Sequence, residues 1–311
     1  MKPTVFIHTN AKQIIGALVA EYALKRNAAR PEAFDVRIIR AEDFPFLARH
    51  EGQHYRREGG RALWTMNDLQ SFTPLRFTVP ELMGYAGRAV VMDPDIFAVG
   101  DIAELLGRDM AGKAIHARRM PASHRRPAHY ASSVMLLDCA RLRHWQAERQ
   151  FAELFEFRRD YRDWMWLLQE PEGTLGELGE EWNHFDTLEP RTRLLHNTHR
   201  RTQPWKTGLP ADFTPRGTTR SSRTGIWYRR LLHRLGAKSA SGYYLPHPDP
   251  KQEAFFFGLL RECLEAGIVS EAMLREEIGR RHVRRDAFEL LDRARRASGR
   301  ELGMTGAGSA G

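Results

Sequence analysis

A chain of 311 residues with a net charge of +9 has room for one large α/β domain, or for one domain with an appendage, and favours anionic partners. No apolar run approaches the roughly 20 residues that span a bilayer, and the N-terminus does not read as a secretory signal. The arginines gather in 116–130 and 216–234 without the interleaved aromatics of a single-strand-binding groove, so nucleic acid ranks below anionic headgroups and phosphorylated ligands.

In chain order, 4–10 reads as a short strand with a polar end. Apolar residues at 14, 15, 18, 19, 22 and 24 then follow the helical period, and 34–40 reads as a second strand. Strand, helix and strand at this spacing open a parallel, Rossmann-like sheet, although no G-x-G-x-x-G stands at the first turn. Thr73 and Pro74 are placed to cap and start a helix over 74–87, which Pro80 must interrupt or restart. Gly87 releases the chain into an apolar strand that ends on Asp93 and Asp95. The stretch 132–138 predicts another strand and 139–146 a helix. A short apolar piece ends at His196. The Gly- and Ser-rich stretch 216–225 predicts a flexible loop. Beyond it, Ile226, Trp227, Leu231 and Leu232 oppose Arg229, Arg230 and Arg234 as a basic amphipathic segment. Phe256, Leu259, Leu260, Cys263 and Leu264 share a helical face, Ser270 is placed to cap the next helix, and a last helix follows. Residues 300–311 carry no pattern and predict a disordered tail. The implied organisation is a domain over 1–215, the loop, a helical C-terminal extension over 226–299, and the tail. Cys139 and Cys263, far apart in apolar surroundings, fit buried thiols in a reducing cytoplasm.

The chemistry concentrates in Asp93-Pro94-Asp95. Two carboxylates at the end of a buried strand repel each other unless something positive compensates them. They can cap a turn through backbone amides. Alternatively, Asp93 can be the nucleophile of an aspartyl-phosphate phosphatase, with Asp95 as its acid/base partner. In the third reading they hold a divalent cation that bridges a diphosphate leaving group.

The surroundings favour the third. "TPLRFTVPELMGYAGRAVVMDPDIFAVGDIAELL" resembles the core of the family 8 glycosyltransferases: an Arg, a Pro-Glu-Leu turn, an apolar strand, Asp-x-Asp, and Gly-Asp before a short helix. Arg76, Pro80-Glu81-Leu82, Asp93, Asp95 and Gly100-Asp101 fall in register. "YASSVMLLDCARLRHW" resembles the family's next block, with Trp145 late in it. "LLHNTHRRTQPWKTG" resembles the closing segment, where a His binds the metal shortly before a Pro-Trp. The resemblance covers about residues 4 to 208 in ordered blocks.

This resemblance implies a GT-A fold: a mixed α/β sheet flanked by helices. It also implies transfer of a sugar, with retention, from a nucleotide-sugar, UDP-linked, to a saccharide, lipid-linked or protein acceptor. It makes Asp93, Asp95 and His196 the ligands of Mn²⁺ or Mg²⁺. It assigns the uracil and ribose to His8, Thr9 and Asn10, and lets Arg76 meet either the diphosphate or the aspartates. Lys206 is the candidate for the family's diphosphate lysine, shifted past the Trp in "QPWK". "RRDYRDWMWL" stands where the family touches donor sugar or acceptor, with Asp163 as the catalytic candidate and Asp160 as its rival. The chain departs from the family at Ala131-Ser132-Ser133, which replaces an Asn-x-Gly that commonly contacts the sugar. That departure keeps a non-catalytic nucleotide-sugar-binding protein of the same fold as an alternative beside the phosphatase. The expected location is the cytoplasm, with peripheral contact to anionic membrane at its inner face as a further expectation.

Overall fold

The computed structural model describes residues 1–124, 126–212 and 242–306, with side chains as far as 296. The predicted flexible loop over 216–225 and the predicted amphipathic segment from Ile226 to Arg234 lie outside the described residues. Among the described residues, no helix is long and apolar enough to cross a membrane.

The predicted opening forms as strand β1 (Thr4–Thr9), helix α1 (Ile14–Arg26) and strand β2 (Asp35–Arg40), with β2 parallel to β1. A short helix α2 (Pro45–Ala48) and a hairpin of β3 (His54–Arg57) and β4 (Gly60–Leu63) follow. Next come α3 (Val79–Leu82), β5 (Arg88–Met92), β6 (Ile96–Ala98), α4 (Ile102–Leu106), β7 (Ile115–Met120) and β8 (His129–Asp138). Helices α5 (Ala147–Phe155) and α6 (Tyr161–Met165) precede β9 (Leu175–Leu178), β10 (His184–Phe185) and β11 (Leu194–His196). The C-terminal helices are α7 (Pro250–Glu265), α8 (Glu271–Gly279) and α9 (Ala287–Gly306).

The main sheet has six strands in the order β2-β1-β5-β8-β7-β9. β1 is parallel to β2 and β5, whereas β8 runs antiparallel to both β5 and β7, so the sheet is mixed. Strands covered on both faces must be apolar throughout, and Ala89 to Met92 are all fully buried. Alternate side chains feed opposite layers. Val5, Ile7, Val90 and Met92 pack with α1 and α7, and Phe6, Ala89 and Val91 pack with the layer that holds Trp145 and Phe151. The chain is thus a mixed α/β sheet flanked by helices, the expected class.

Several local expectations shift. Thr73 is not a cap. It begins a 3₁₀ turn, Thr73–Thr78, and its hydroxyl donates to the Gln70 carbonyl at 3.0 Å. Val79 is in the α region and opens the new helix, with Pro80 in its first turn, where the missing N–H has no intrahelical partner to lose. The helix predicted over 139–146 is only a 3₁₀ turn, Cys139–Arg141, and α5 starts at Ala147. The Cys139 N–H is tied to the Gly87 carbonyl, and Trp145 turns inward to donate to Glu170 Oε1 at 2.9 Å. Gly87 enters β5 with φ of 70°, a value glycine takes without steric cost. α9 runs to Gly306, past the predicted start of the tail, because Glu301 and Leu302 propagate a helix readily. Both cysteines are buried and free, and burial pushes each thiol up to about 12. Ser270 caps α8 as expected, accepting from the Met273 N–H.

The C-terminal helices support the closing segment. Phe256 of α7 stacks on Trp205 at 4.7 Å between centroids and meets Phe97 edge-on. The Arg284 side chain donates to the Pro204 carbonyl at 3.2 Å.

One close approach yields a test. A Cβ on Gly16 of α1 would lie 2.6 Å from the carbonyl oxygen of Pro94, between the two aspartates, whereas a Cβ on Gly258 of α7 would meet nothing within 4 Å. Gly16→Ala is therefore expected to lose about 1–3 kcal/mol in urea unfolding, the usual cost of overpacking. Gly258→Ala is expected to gain about 0.5–1 kcal/mol. A neutral Gly16→Ala would show that α1 does not brace the aspartate loop.

Candidate metal centre

The edge of β5 delivers Asp93, whose N–H bonds the Ser133 carbonyl of β8 at 3.1 Å. Its carboxylate is buried and compensated. Arg76 Nη2 reaches both oxygens at 2.6 Å, Arg76 Nε reaches Oδ1 at 3.1 Å, and His8 Nε2 lies 2.7 Å from Oδ1. The contact with a carboxylate oxygen places the His8 proton on Nε2. Burial opposes ionisation of Asp93, but Arg76 and His8 outweigh it and hold the carboxyl far below its ordinary range. Burial also lowers His8, which Asp93 only partly offsets.

Asp95 is treated differently. Its Oδ2 accepts from Gln203 Nε2 at 3.0 Å, while Oδ1 is buried without a hydrogen-bond partner. Among the described residues, the basic group at ion-pair distance from Oδ1 is His196, with Nε2 at 3.4 Å. A three-stranded sheet, β10-β11-β6, sets this meeting: His196 pairs with Ile96, and the Asn197 N–H bonds the Asp95 carbonyl at 3.0 Å. His196 is oriented from behind by Asn183, whose Oδ1 lies 2.8 Å from Nδ1 and whose amide donates to Ser133 Oγ at 3.0 Å. That arrangement puts the proton on Nδ1 and leaves the Nε2 lone pair facing Asp95.

Ser132 and Ser133 are successive residues, yet both serve the site. Arg76 Nη1 donates to Ser132 Oγ at 2.8 Å, and Ser133 Oγ receives Asn183. The reason is a bulge. Ala117 pairs with Met135 but Arg118 pairs with Ala131, so 132–134 are extra on β8 and the strand turns there.

One oxygen or nitrogen from each of Asp93, Asp95 and His196 lies within 4.8 Å of the others, close enough to share an ion. The fit is good for a hard cation. Two carboxylates and one imidazole match Mn²⁺ and Mg²⁺ chemistry, and Asp95 Oδ1 lacks a donor among the described residues. Asp93 is the weaker ligand because Arg76 already holds it.

The triad borders a cavity of about 280 Å³. Arg76, Asp93, Asp95 and His196 line it; His8, Thr9, Asn10, Lys206, Asp160 and Asp163 do not. His8 stands behind Asp93. The Asn10 Nδ2 group donates to the Asp68 and Leu69 carbonyls and Ser71 Oγ, and the Thr9 hydroxyl donates to the Asn10 carbonyl. Asp160 caps α6 and accepts from the Glu58 and Gly59 N–H groups, which hold it below its ordinary value against burial. Its oxygens are committed to the fold. Asp163 pairs with Arg162 at 3.2 Å. Lys206 is fully buried, 3.4 Å from Asp212 Oδ2 and under Tyr244. Asn183, Gln203, Ser132 and Ser133 escape the sequence reading as site residues. Gln203 lies within the "QPW" landmark, and Asn183 has no motif to mark it.

No family model matches the chain, and no curated protein sequence does. Among solved structures it is similar to the glycosyltransferase GlyE of Streptococcus pneumoniae TIGR4. The identity is 16% and the TM-score 0.46, with 80% of this chain and 65% of GlyE covered. The chain thus spans just under two thirds of GlyE. It is also similar to the galactosyltransferase LgtC in complex with donor and acceptor sugar analogues, at 13% identity and a TM-score of 0.45, covering 77% and 97% of the two chains. Mouse xyloside xylosyltransferase 1 gives 15%, 0.40, and coverage of 63% and 97%. None of these likenesses reaches a TM-score of 0.5, and none identifies the chemistry.

Lys206 provides a pH test. Burial pushes its ammonium down to about 8, which Asp212 only partly offsets. A lysine lowered on folding destabilises the protein while charged, and that cost disappears as the pH rises from the folded value toward the unfolded one. Relative to Lys206→Met, wild type should gain stability between about pH 8 and 10.5, by an amount on the order of 3 kcal/mol. Urea unfolding of both proteins across that range measures it; a pH-independent difference contradicts the assignment.

Proposed function

We propose that the chain is a GT-A glycosyltransferase that moves a sugar from a nucleotide-sugar, UDP-linked, to an acceptor, with Mn²⁺ or Mg²⁺ as cofactor. The carrying observation is the convergence of Asp93, Asp95 and His196, from separate segments, with one Asp95 oxygen buried and unpaired. A buried carboxylate oxygen without a donor is costly, and a cation removes that cost.

When bound, the cation supplies positive charge to the diphosphate that leaves with the nucleoside. The chain's own residues prepare the place. Asp95 and His196 bind, Gln203 and Asn183 fix their orientation, and Arg76 keeps Asp93 ionised. Retention is carried over from the family resemblance. The phosphatase alternative needs a free Asp93 oxygen for attack, and both oxygens are engaged by Arg76. Of the segment expected to touch the donor sugar or acceptor, Tyr161, Arg162, Met165 and Trp166 line the cavity, whereas Asp160 and Asp163 do not.

The test is thermal unfolding with nucleoside diphosphates, with and without Mn²⁺. UDP with Mn²⁺ at a hundred times Kd should stabilise wild type by about 2.7 kcal/mol, a Tm rise of several degrees. Asp95→Asn should abolish the Mn²⁺-dependent part while keeping the apo fold. Asn183→Leu should weaken Mn²⁺ binding about 10- to 100-fold, as loss of an orienting partner does, and Asn183→Asp should preserve it. An undiminished shift in Asp95→Asn refutes the metal assignment.

A further inference from the structure

The cavity has a second wall, built by different elements from the metal triad. Trp166 and His129 stack face to face, 4.0 Å between centroids and 18° apart. Arg57, at the end of β3, lies over the Tyr161 ring at 5.0 Å, and Arg126 enters from the turn between β7 and β8. Of the arginines lining the cavity, Arg76 is spent on Asp93 and Arg162 on Asp163, and Arg200 bonds Gln70. Arg57 is half-buried, and of its five N–H groups one donates, to the Tyr55 hydroxyl at 3.1 Å. Among the described residues, neither Arg57 nor Arg126 has a carboxylate within ion-pair distance.

The charge balance says which substrate these two cations await. Five arginines line the cavity against three carboxylates, Glu58, Asp93 and Asp95, and Asp163 behind the lining holds Arg162, which leaves one positive charge in excess. A divalent cation and the two negative charges of a sugar-diphosphate ester cancel each other. The excess therefore persists when the donor is bound, and Arg57 and Arg126 have no carboxylate at ion-pair distance among the described residues to absorb it. His129 stacks on the Trp166 ring and Arg162 lies over it at 5.2 Å, so the pair borders the cavity as apolar surface beside the two arginines.

We propose, resting on the glycosyltransferase reading, that this wall is the acceptor subsite and that the acceptor is an anionic saccharide. Its carboxylate or phosphate is held by Arg57 and Arg126, and its ring lies against Trp166 and His129. A planar guanidinium suits both anions, because it can offer two parallel N–H donors.

The experiment is calorimetric titration of the full-length protein with methyl glucuronide, glucose 6-phosphate, neutral methyl glucoside and inorganic phosphate, each with and without saturating UDP and Mn²⁺. At least one charged sugar should bind about tenfold or more tighter than methyl glucoside, as a charge-assisted hydrogen bond would give. Whichever charged sugar is tighter identifies carboxylate or phosphate as the group. Arg57→Gln and Arg126→Gln should each remove that advantage, leaving methyl glucoside and UDP with Mn²⁺ unaffected; Arg126 is exposed, so its variant tests the idea even if the Arg57 variant folds poorly. Equal affinity for charged and neutral sugars, or undiminished binding by both variants, overturns the proposal. So does inorganic phosphate binding as tightly as glucose 6-phosphate, or displacement of the charged sugar by UDP with Mn²⁺, which would assign the arginines to the donor. Failure of UDP with Mn²⁺ to bind wild type refutes the donor reading alone, because the sugar affinities are measured separately.

Discussion

Two carboxylates leave the end of one buried strand, and the protein compensates only one of them. Asp93 has Arg76 and His8 within hydrogen-bond reach, while among the described residues Asp95 Oδ1 has His196 Nε2 at 3.4 Å and accepts no hydrogen bond. Breaking a buried ion pair such as Arg76–Asp93 costs about 3–5 kcal/mol, so that half of the arrangement is fixed whether or not a ligand is bound. The uncompensated half is where chemistry can happen. What sets Asp95 Oδ1 apart from the other buried oxygens without a donor is its grouping with Asp93 and His196, three residues that could share an ion.

Much of the surrounding architecture keeps that asymmetry in place. The register of β11 on β6 sets His196 beside Asp95, and β10 brings Asn183 up behind the imidazole. The bulge in β8 turns Ser132 and Ser133 to opposite halves of the site, one to Arg76 and one to Asn183. From the other side, Trp205 donates to Gln13, Gln13 to Gln203, and Gln203 to Asp95. α7 holds this chain of amides down through Phe256, and its Gln252 accepts from Asn197. The C-terminal helices, to which no motif gave a role, thus pack beneath the closing segment.

What was legible in the sequence follows from period and motif. β1 and β5 announce themselves as apolar runs and α1 by its 3.6 repeat, while β2, an exposed edge strand, is read from Val36, Ile38 and Ile39 and its spacing after α1. Asp93, Asp95 and His196 were readable because a metal shell needs particular residue types in a particular order. Asn183 and Ser133 were not, because they act through another side chain, and any residue with an amide or hydroxyl at that place would serve. The polar end of β1 carries two roles that the sequence alone does not separate. His8 and Asn10 look like ligand-facing residues, yet a buried strand end must also satisfy its own neighbours, and they bond Asp93 and the 68–71 loop. Asp160 is a similar case: an N-cap and a ligand contact ask for the same residue type.

The central claim is that Asp95 and His196, with Asp93 contributing, receive a divalent cation. Anomalous diffraction from crystals grown with Mn²⁺ and UDP tests it most directly. The account predicts one strong manganese peak within coordinating distance of Asp95 Oδ1 and His196 Nε2, with Arg76 still on Asp93. A peak elsewhere in the cavity, or none there despite bound UDP, would contradict it.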